Sequence, residues 1–134
     1  MSTNAIITIL ERGNPAPLVT IWKHWDGGPE DLGVEIKTIL IDPVAESAGA
    51  GVGSFNGPGD AAAFLVSQLK KEKRGDVYLM QPGMEGAAFD YRVYFKNNQP
   101  TEMDITHLGP DGAPVLDYRG TLVDFDPHKL EGCR

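Results

Sequence analysis

Hydrophobic and polar residues alternate along most of the chain, and a helical period replaces the alternation in two places. Residues 5–10 (Ala5-Ile6-Ile7-Thr8-Ile9-Leu10) and 17–24 read as β-strands joined by Arg12-Gly13-Asn14-Pro15, a turn composition. In the second run Leu18, Thr20, Trp22 and His24 share one face, and Val19, Ile21 and Lys23 the other. Asp26-Gly27-Gly28-Pro29 breaks that strand. Pro29 suits a first helical turn, and Glu30-Asp31 places carboxylates where the helix dipole favours them. Leu32, Ile36, Ile39 and Leu40 then recur at helical spacing, which predicts an amphipathic helix over residues 30–40, with Gly33 counting against it. A second helix is predicted from Asp60 as N-cap. Ala61, Phe64, Leu65 and Leu69 form its apolar stripe, Lys70-Lys71-Glu72-Lys73-Arg74 its basic last turn, and Gly75 its C-cap.

Everything beyond Gly75 reads as β. Residues 76–81 form a strand; in residues 89–96, Phe89, Tyr91, Val93 and Phe95 alternate with Asp90, Arg92 and Tyr94. Asn97-Asn98 sits at a hairpin turn, residues 101–108 return, and Gly109-Pro110-Asp111-Gly112 turns the chain into a last strand over 114–125, bent or bulged at Gly120. The order ββαα followed by a four-stranded β-meander predicts an α+β domain spanning 1–134. Its two helices would pack on one face of a mostly antiparallel sheet of five to six strands. Strand 89–95 is expected at an exposed edge, where it would pair two chains into a homodimer.

Composition narrows the function classes. The chain has 134 residues, 41% of them hydrophobic, enough for one core without a metal or disulfide. Its net charge of −7 and pI near 4.8 argue against a nucleic-acid partner, which needs lysine and arginine against phosphate. Residues 1–67 hold three basic and eight acidic side chains, so most of the excess lies in the first half. No apolar run is long enough to span a membrane, and the N-terminus reads as a strand, not a signal peptide. Cys133 is the lone thiol, and a cytoplasmic location is expected.

Candidate chemistry concentrates in Trp22-Lys23-His24-Trp25-Asp26-Gly27-Gly28-Pro29. In an extended strand His24 and Asp26 would share a face, where an aspartate can orient an imidazole or both can hold a metal with a third ligand such as His107 or Asp104. The plainer reading has His24 and Asp26 capping the turn while the tryptophans fill the core and its rim. The segment resembles the aromatic-x-His-Trp-Asp-Gly-x-Pro signature of an uncharacterised family of small proteins from bacteriophages, prophages and some archaea. The resemblance extends over residues 5–96, through the Ala-rich helix and the aromatic-alternating strand. Gly28 stands where the family has an aromatic, and residues 45–59 depart from its pattern. The resemblance implies an accessory protein of a virus or mobile element and carries no activity with it.

A second candidate is the loop containing Gly49, Gly51, Gly53, Ser54, Gly57 and Gly59, whose backbone N–H groups could meet a phosphate before the Asp60 helix. It matches neither the P-loop nor the dinucleotide spacing, and Asp60 opposes an anion; a connector is the plainer reading. The basic turn 70–74 reads as a solvated face, and Asp117, Asp124 and Asp126 as surface carboxylates. No nucleophile, catalytic residue, metal site or cofactor is assigned. The leading reading is a non-catalytic protein-binding or regulatory module. The alternatives are a binder of a nucleotide-like signal, using Gly51, Gly53 and Ser54 with Trp22 or Trp25 stacking on a base, and a metal-assisted hydrolase built on His24 and Asp26.

Overall fold

The computed structural model describes residues 3–41, 55–71, 74–84, 86–97 and 99–130. Strands β1 (Ala5–Glu11) and β2 (Val19–Lys23) pair antiparallel, with Ile7 opposite Ile21. In the turn between them Gly13 has φ 90°, and the Asn14 side chain accepts the Ala16 N–H at 3.0 Å. A wide π-helical turn, Pro29–Gly33, runs into α1 (Val34–Ile41), and α2 (Pro58–Lys70) follows. Strands β3 (Val77–Met80), β4 (Phe89–Lys96), β5 (Gln99–Leu108) and β6 (Pro114–Thr121) complete a sheet in the order β3-β2-β1-β4-β5-β6. Among the described residues only the β1–β4 pairing is parallel, and two helices lie against the six-stranded, mostly antiparallel sheet of an α+β fold.

Strand alternation explains why the helices share one face. Ala5, Ile7 and Ile9 of β1, Ile21 of β2, Tyr91, Val93 and Phe95 of β4, and Met103 and Ile105 of β5 join one buried cluster. Leu32, Ile36 and Leu40 cover it from the first helical segment, and Ala61, Ala62, Leu65 and Leu69 from α2. The opposite face carries Thr8, Trp22, Arg92, Tyr94 and Asp104, and among the described residues no helix lies over it.

Several local expectations change. The first helix opens as a π turn, and Gly33 at its end lies under the Phe125 ring: a Cβ there would sit 2.8 Å from Phe125 Cζ. The second begins at Pro58, with Gly57 at its N-cap (φ 100°), so Asp60 lies in the first turn and is not the cap. Proline tolerates the first turn and glycine the positive φ, so the helix starts three residues earlier. It ends at Lys71, in the left-handed conformation at φ 45°, ahead of Gly75.

The larger change concerns β3. It does not start a meander; it pairs antiparallel with β2 at the far edge of the sheet, Val77 opposite Lys23. The chain then crosses back over the helix-free face and inserts β4 between β1 and β5. Phe89–Lys96 is therefore interior, which overturns the edge pairing of two chains expected there; the edges are β3 and β6. Strand β6 stops at Thr121, because Leu122 and Phe125 turn back into the core. Its bulge falls at Asp117, not Gly120: Ile105 pairs with Tyr118 and Thr106 with Leu116. Gly120 instead makes room for the Tyr118 ring, whose hydroxyl lies 2.8 Å from where a Cβ would stand.

Candidate functional site

Lys23 occupies a core-facing position of β2, where an unpaired ammonium would be costly. Asp76, just before β3, compensates it: Lys23 Nζ lies 2.7 Å from Asp76 Oδ2 and donates also to the Trp25 carbonyl at 2.7 Å. The side chains are 6% and 13% exposed. Asp76 Oδ1 accepts the backbone N–H groups of His24 (3.2 Å) and Trp25 (3.1 Å), and its own carbonyl accepts the His24 N–H at 2.8 Å. Burial pushes the Asp76 carboxyl up. The Lys23 hydrogen bond and charge, with the N–H groups of Trp25 and His24, outweigh that and hold it below its ordinary value. The end of β2 is thus folded around one carboxylate.

The rest of the motif is explained by the same turn. Asp26 takes a left-handed conformation (φ 57°), which ends the extended run. Gly27 packs so tightly that a Cβ would lie 2.7 Å from Ala5 Cβ and 2.9 Å from the Thr3 carbonyl. Its N–H donates to that carbonyl at 2.8 Å, and its own carbonyl accepts the Tyr91 hydroxyl at 2.6 Å. Pro29 then opens the helix.

This anchored turn presents a row of rings on the helix-free side. Trp22 stands beside Tyr78, its cross-strand partner, with ring centroids 6.2 Å apart, and beside His24, also at 6.2 Å. Trp22 Nε1 donates to His24 Nδ1 at 3.4 Å, and Trp25 meets His24 edge-on at 4.6 Å. Trp25 and Tyr78 are 46% and 45% exposed. Exposed Asp26, Glu30 and Asp31 follow directly. Trp22, His24 and Trp25 are therefore brought together, joined by Tyr78, which sequence reasoning missed, while Asp26 is exposed on the turn beside them. The alternation of β3 carries the signal, but a meander order pairs β3 with β4, and the structure pairs it with β2.

The structure does not build a metal centre here. No hydrogen bond joins His24 to Asp26, since the left-handed turn takes Asp26 out of the strand. Strand β5, which carries His107 and Asp104, lies three strand spacings from β2, or ~14 Å. His107 is engaged elsewhere: its Nδ1 lies 2.7 and 2.8 Å from the two oxygens of Asp117, the residue in the β6 bulge. Asp104 accepts the Tyr94 hydroxyl on Oδ2 at 3.2 Å. Arg119 Nε is 3.4 Å from its Oδ1, close enough for an ion pair but not aligned for a hydrogen bond. No group of three or more His, Cys, Asp or Glu side chains among the described residues is placed to hold a metal.

Gly51, Gly53, Ser54 and Cys133 lie outside the described residues. At the described end of the glycine loop, Asp60 Oδ2 accepts the Asn56 N–H at 2.9 Å, so a carboxylate already occupies the mouth of α2. Cavities lie elsewhere. One of about 730 Å³ runs between Lys37 and Thr38 of α1 and the turn 123–129. An apolar one of about 480 Å³ lies between Ala62, Ala63 and Val66 of α2 and Leu18 and Leu79. A third, of about 190 Å³, opens on the helix-free face beside Thr8 and Arg92. No helix among the described residues is long and apolar enough to cross a membrane. No family of known proteins matches the chain, and no curated protein or solved structure is similar to it.

Proposed function

We propose that this protein is a non-catalytic binding module that docks a basic segment of a protein partner on the surface formed by Trp22, His24, Trp25 and Tyr78. The observation that carries the reading is the exposure of Trp25, on a turn anchored by the Lys23–Asp76 pair, and of Tyr78, on the adjoining strand β3. A fixed aromatic surface loses little entropy on binding, and tryptophan and tyrosine dominate interface energetics. Asp26, Glu30 and Asp31 beside it, and the net charge of −7, select a cationic partner. The same face already seats a cation on a ring, with the Arg12 guanidinium 4.1 Å from the Tyr94 ring centroid. The likeness of residues 22–29 to the phage, prophage and archaeal family favours an accessory protein of a virus or mobile element, acting in the cytoplasm.

Tryptophan fluorescence titration with an Arg/Gly-repeat peptide tests this. Saturable binding is expected, weakened about 30-fold by Trp25→Ala or Tyr78→Ala, the loss typical of a hot-spot side chain. Glu30→Gln with Asp31→Asn should flatten its salt dependence. Binding indifferent to both aromatic substitutions would reduce the attraction to net charge and end the proposal.

A further inference from the structure

The edge strand β3 is left uncovered on its helix side. Ile21 of β2 stands opposite Leu79 and Trp22 opposite Tyr78, so Leu79 lies on the helix side and Tyr78 on the helix-free side. Ile21 is fully buried, whereas Leu79, one strand further out, is 62% exposed. Leu79 borders the apolar cavity of about 480 Å³ that it shares with Leu18 and with Ala62, Ala63 and Val66 of α2.

The backbone of this edge is also unfinished. The His24 N–H donates to the Asp76 carbonyl at 2.8 Å, which makes theirs a hydrogen-bonded pair. Such pairs alternate along an antiparallel ladder, so Trp22–Tyr78 is the next one, and Lys23–Val77 and Ile21–Leu79 are the pairs that exchange no bonds. The N–H and C=O groups of Val77 and Leu79 therefore point away from β2. The Val77 carbonyl accepts the Lys70 ammonium at 2.7 Å, which closes that end. Leu79 directs a donor and an acceptor outward, and among the described residues no strand lies beyond β3.

We propose that β3 receives an extended segment of the partner as an added antiparallel strand, and that this segment alternates basic and aliphatic residues. The inference rests on the aromatic surface being the docking site and specifies how the partner lies on it. One partner residue takes both Leu79 hydrogen bonds, and its side chain falls on the Leu79 side, at the apolar cavity, which suits leucine or valine. The residues before and after it fall on the Tyr78 side. There the ring faces of Tyr78 and Trp22, and exposed Asp26, Glu30 and Asp31 on the adjoining turn, favour arginine or lysine. This basic-aliphatic-basic triplet spans Tyr78 to Met80 and leaves Val77 to Lys70. A second copy of the chain fits less well: it brings a net charge of −7, and its own β3 sets tyrosine and methionine, not cations, on either side of the leucine.

The test is a ¹H–¹⁵N NMR titration of the full chain with three capped peptides: Gly-Arg-Leu-Arg-Gly, its isomer Gly-Leu-Arg-Arg-Gly, and the first peptide N-methylated at leucine. The N-methyl form keeps every side chain and charge but has no N–H for the Leu79 carbonyl. The alternating peptide is expected to bind about tenfold more tightly than either of the others and to shift the Leu79 amide. Ala63→Phe, at an exposed position of α2, should fill the cavity and remove the preference over the isomer, with binding of the Arg/Gly-repeat peptide unchanged. Equal binding of all three peptides, weakened by Tyr78→Ala, would keep the aromatic surface and overturn the added strand. No binding of any peptide, the Arg/Gly repeat included, would overturn both. A dimer in sedimentation that Leu79→Lys dissociates would give the edge to a second copy and overturn the proposal.

Discussion

Asp76 carries more of the local architecture than any other side chain at the end of β2, because it neutralises Lys23 and receives two backbone N–H groups at once. Asp76→Asn would leave a nearly buried ammonium without its counter-charge. A loss of about 3–5 kcal/mol is expected, read as a drop in the urea midpoint at pH 7. Its pH dependence has a definite sign. The folded carboxyl titrates below its ordinary value of 3.8, so the stabilisation is complete above 3.8 and disappears as pH falls through the lowered folded value. The wild-type midpoint should fall in that acid window more steeply than that of Asp76→Asn; parallel curves would mean that Asp76 does not supply the linkage. None of this was legible locally. Lys23 is core-facing in the strand alternation, yet its partner is 53 residues away. His107 and Asp117 were both visible as residues, but only the β6 bulge brings them to hydrogen-bonding distance.

Gly33 shows how packing overrides propensity within a helix. Alanine there should gain about 1 kcal/mol of intrinsic helix preference. Its Cβ, however, would press on the buried Phe125 ring at 2.8 and 2.9 Å. A net loss of about 1–3 kcal/mol is expected for Gly33→Ala, the scale of overpacking in a filled core. Gly59, in the first turn of α2, has nothing within 4 Å of its added Cβ and no positive φ. Gly59→Ala should therefore stabilise by about 0.4–1 kcal/mol. Thermal unfolding of the two variants distinguishes packing from propensity, since propensity alone would shift both midpoints upward. Sequence periodicity located both helices because each buries one stripe. It placed Pro29 in the first turn of the first helical segment but misplaced the start of α2, since Gly57 and Pro58 set that start through φ, not hydrophobicity.

The sheet as a whole divides into protected and exposed parts. Strands β1 and β4 lie at its centre, flanked on both sides, while β3 and β6 form its edges. Native-state hydrogen exchange should find the amides of Ile7, Tyr91 and Val93 the slowest, and those of β3 and β6 markedly faster. Equal protection in β6 and β4 would contradict the strand order or show that an edge is covered in solution. The amino-acid sequence by itself determined the α+β class, the strand and helix types and the net acidic character. Each follows from residues near one another in the chain or from simple composition. Only the tertiary structure decided that β3 joins β2, that β4 enters beside β1, that Tyr78 completes the aromatic surface, and that Thr8 and Arg92 share a pocket. Those outcomes depend on which distant segments bury one another's faces and edges. A two-residue alternation states which face of a strand is apolar, but not which neighbour it will meet.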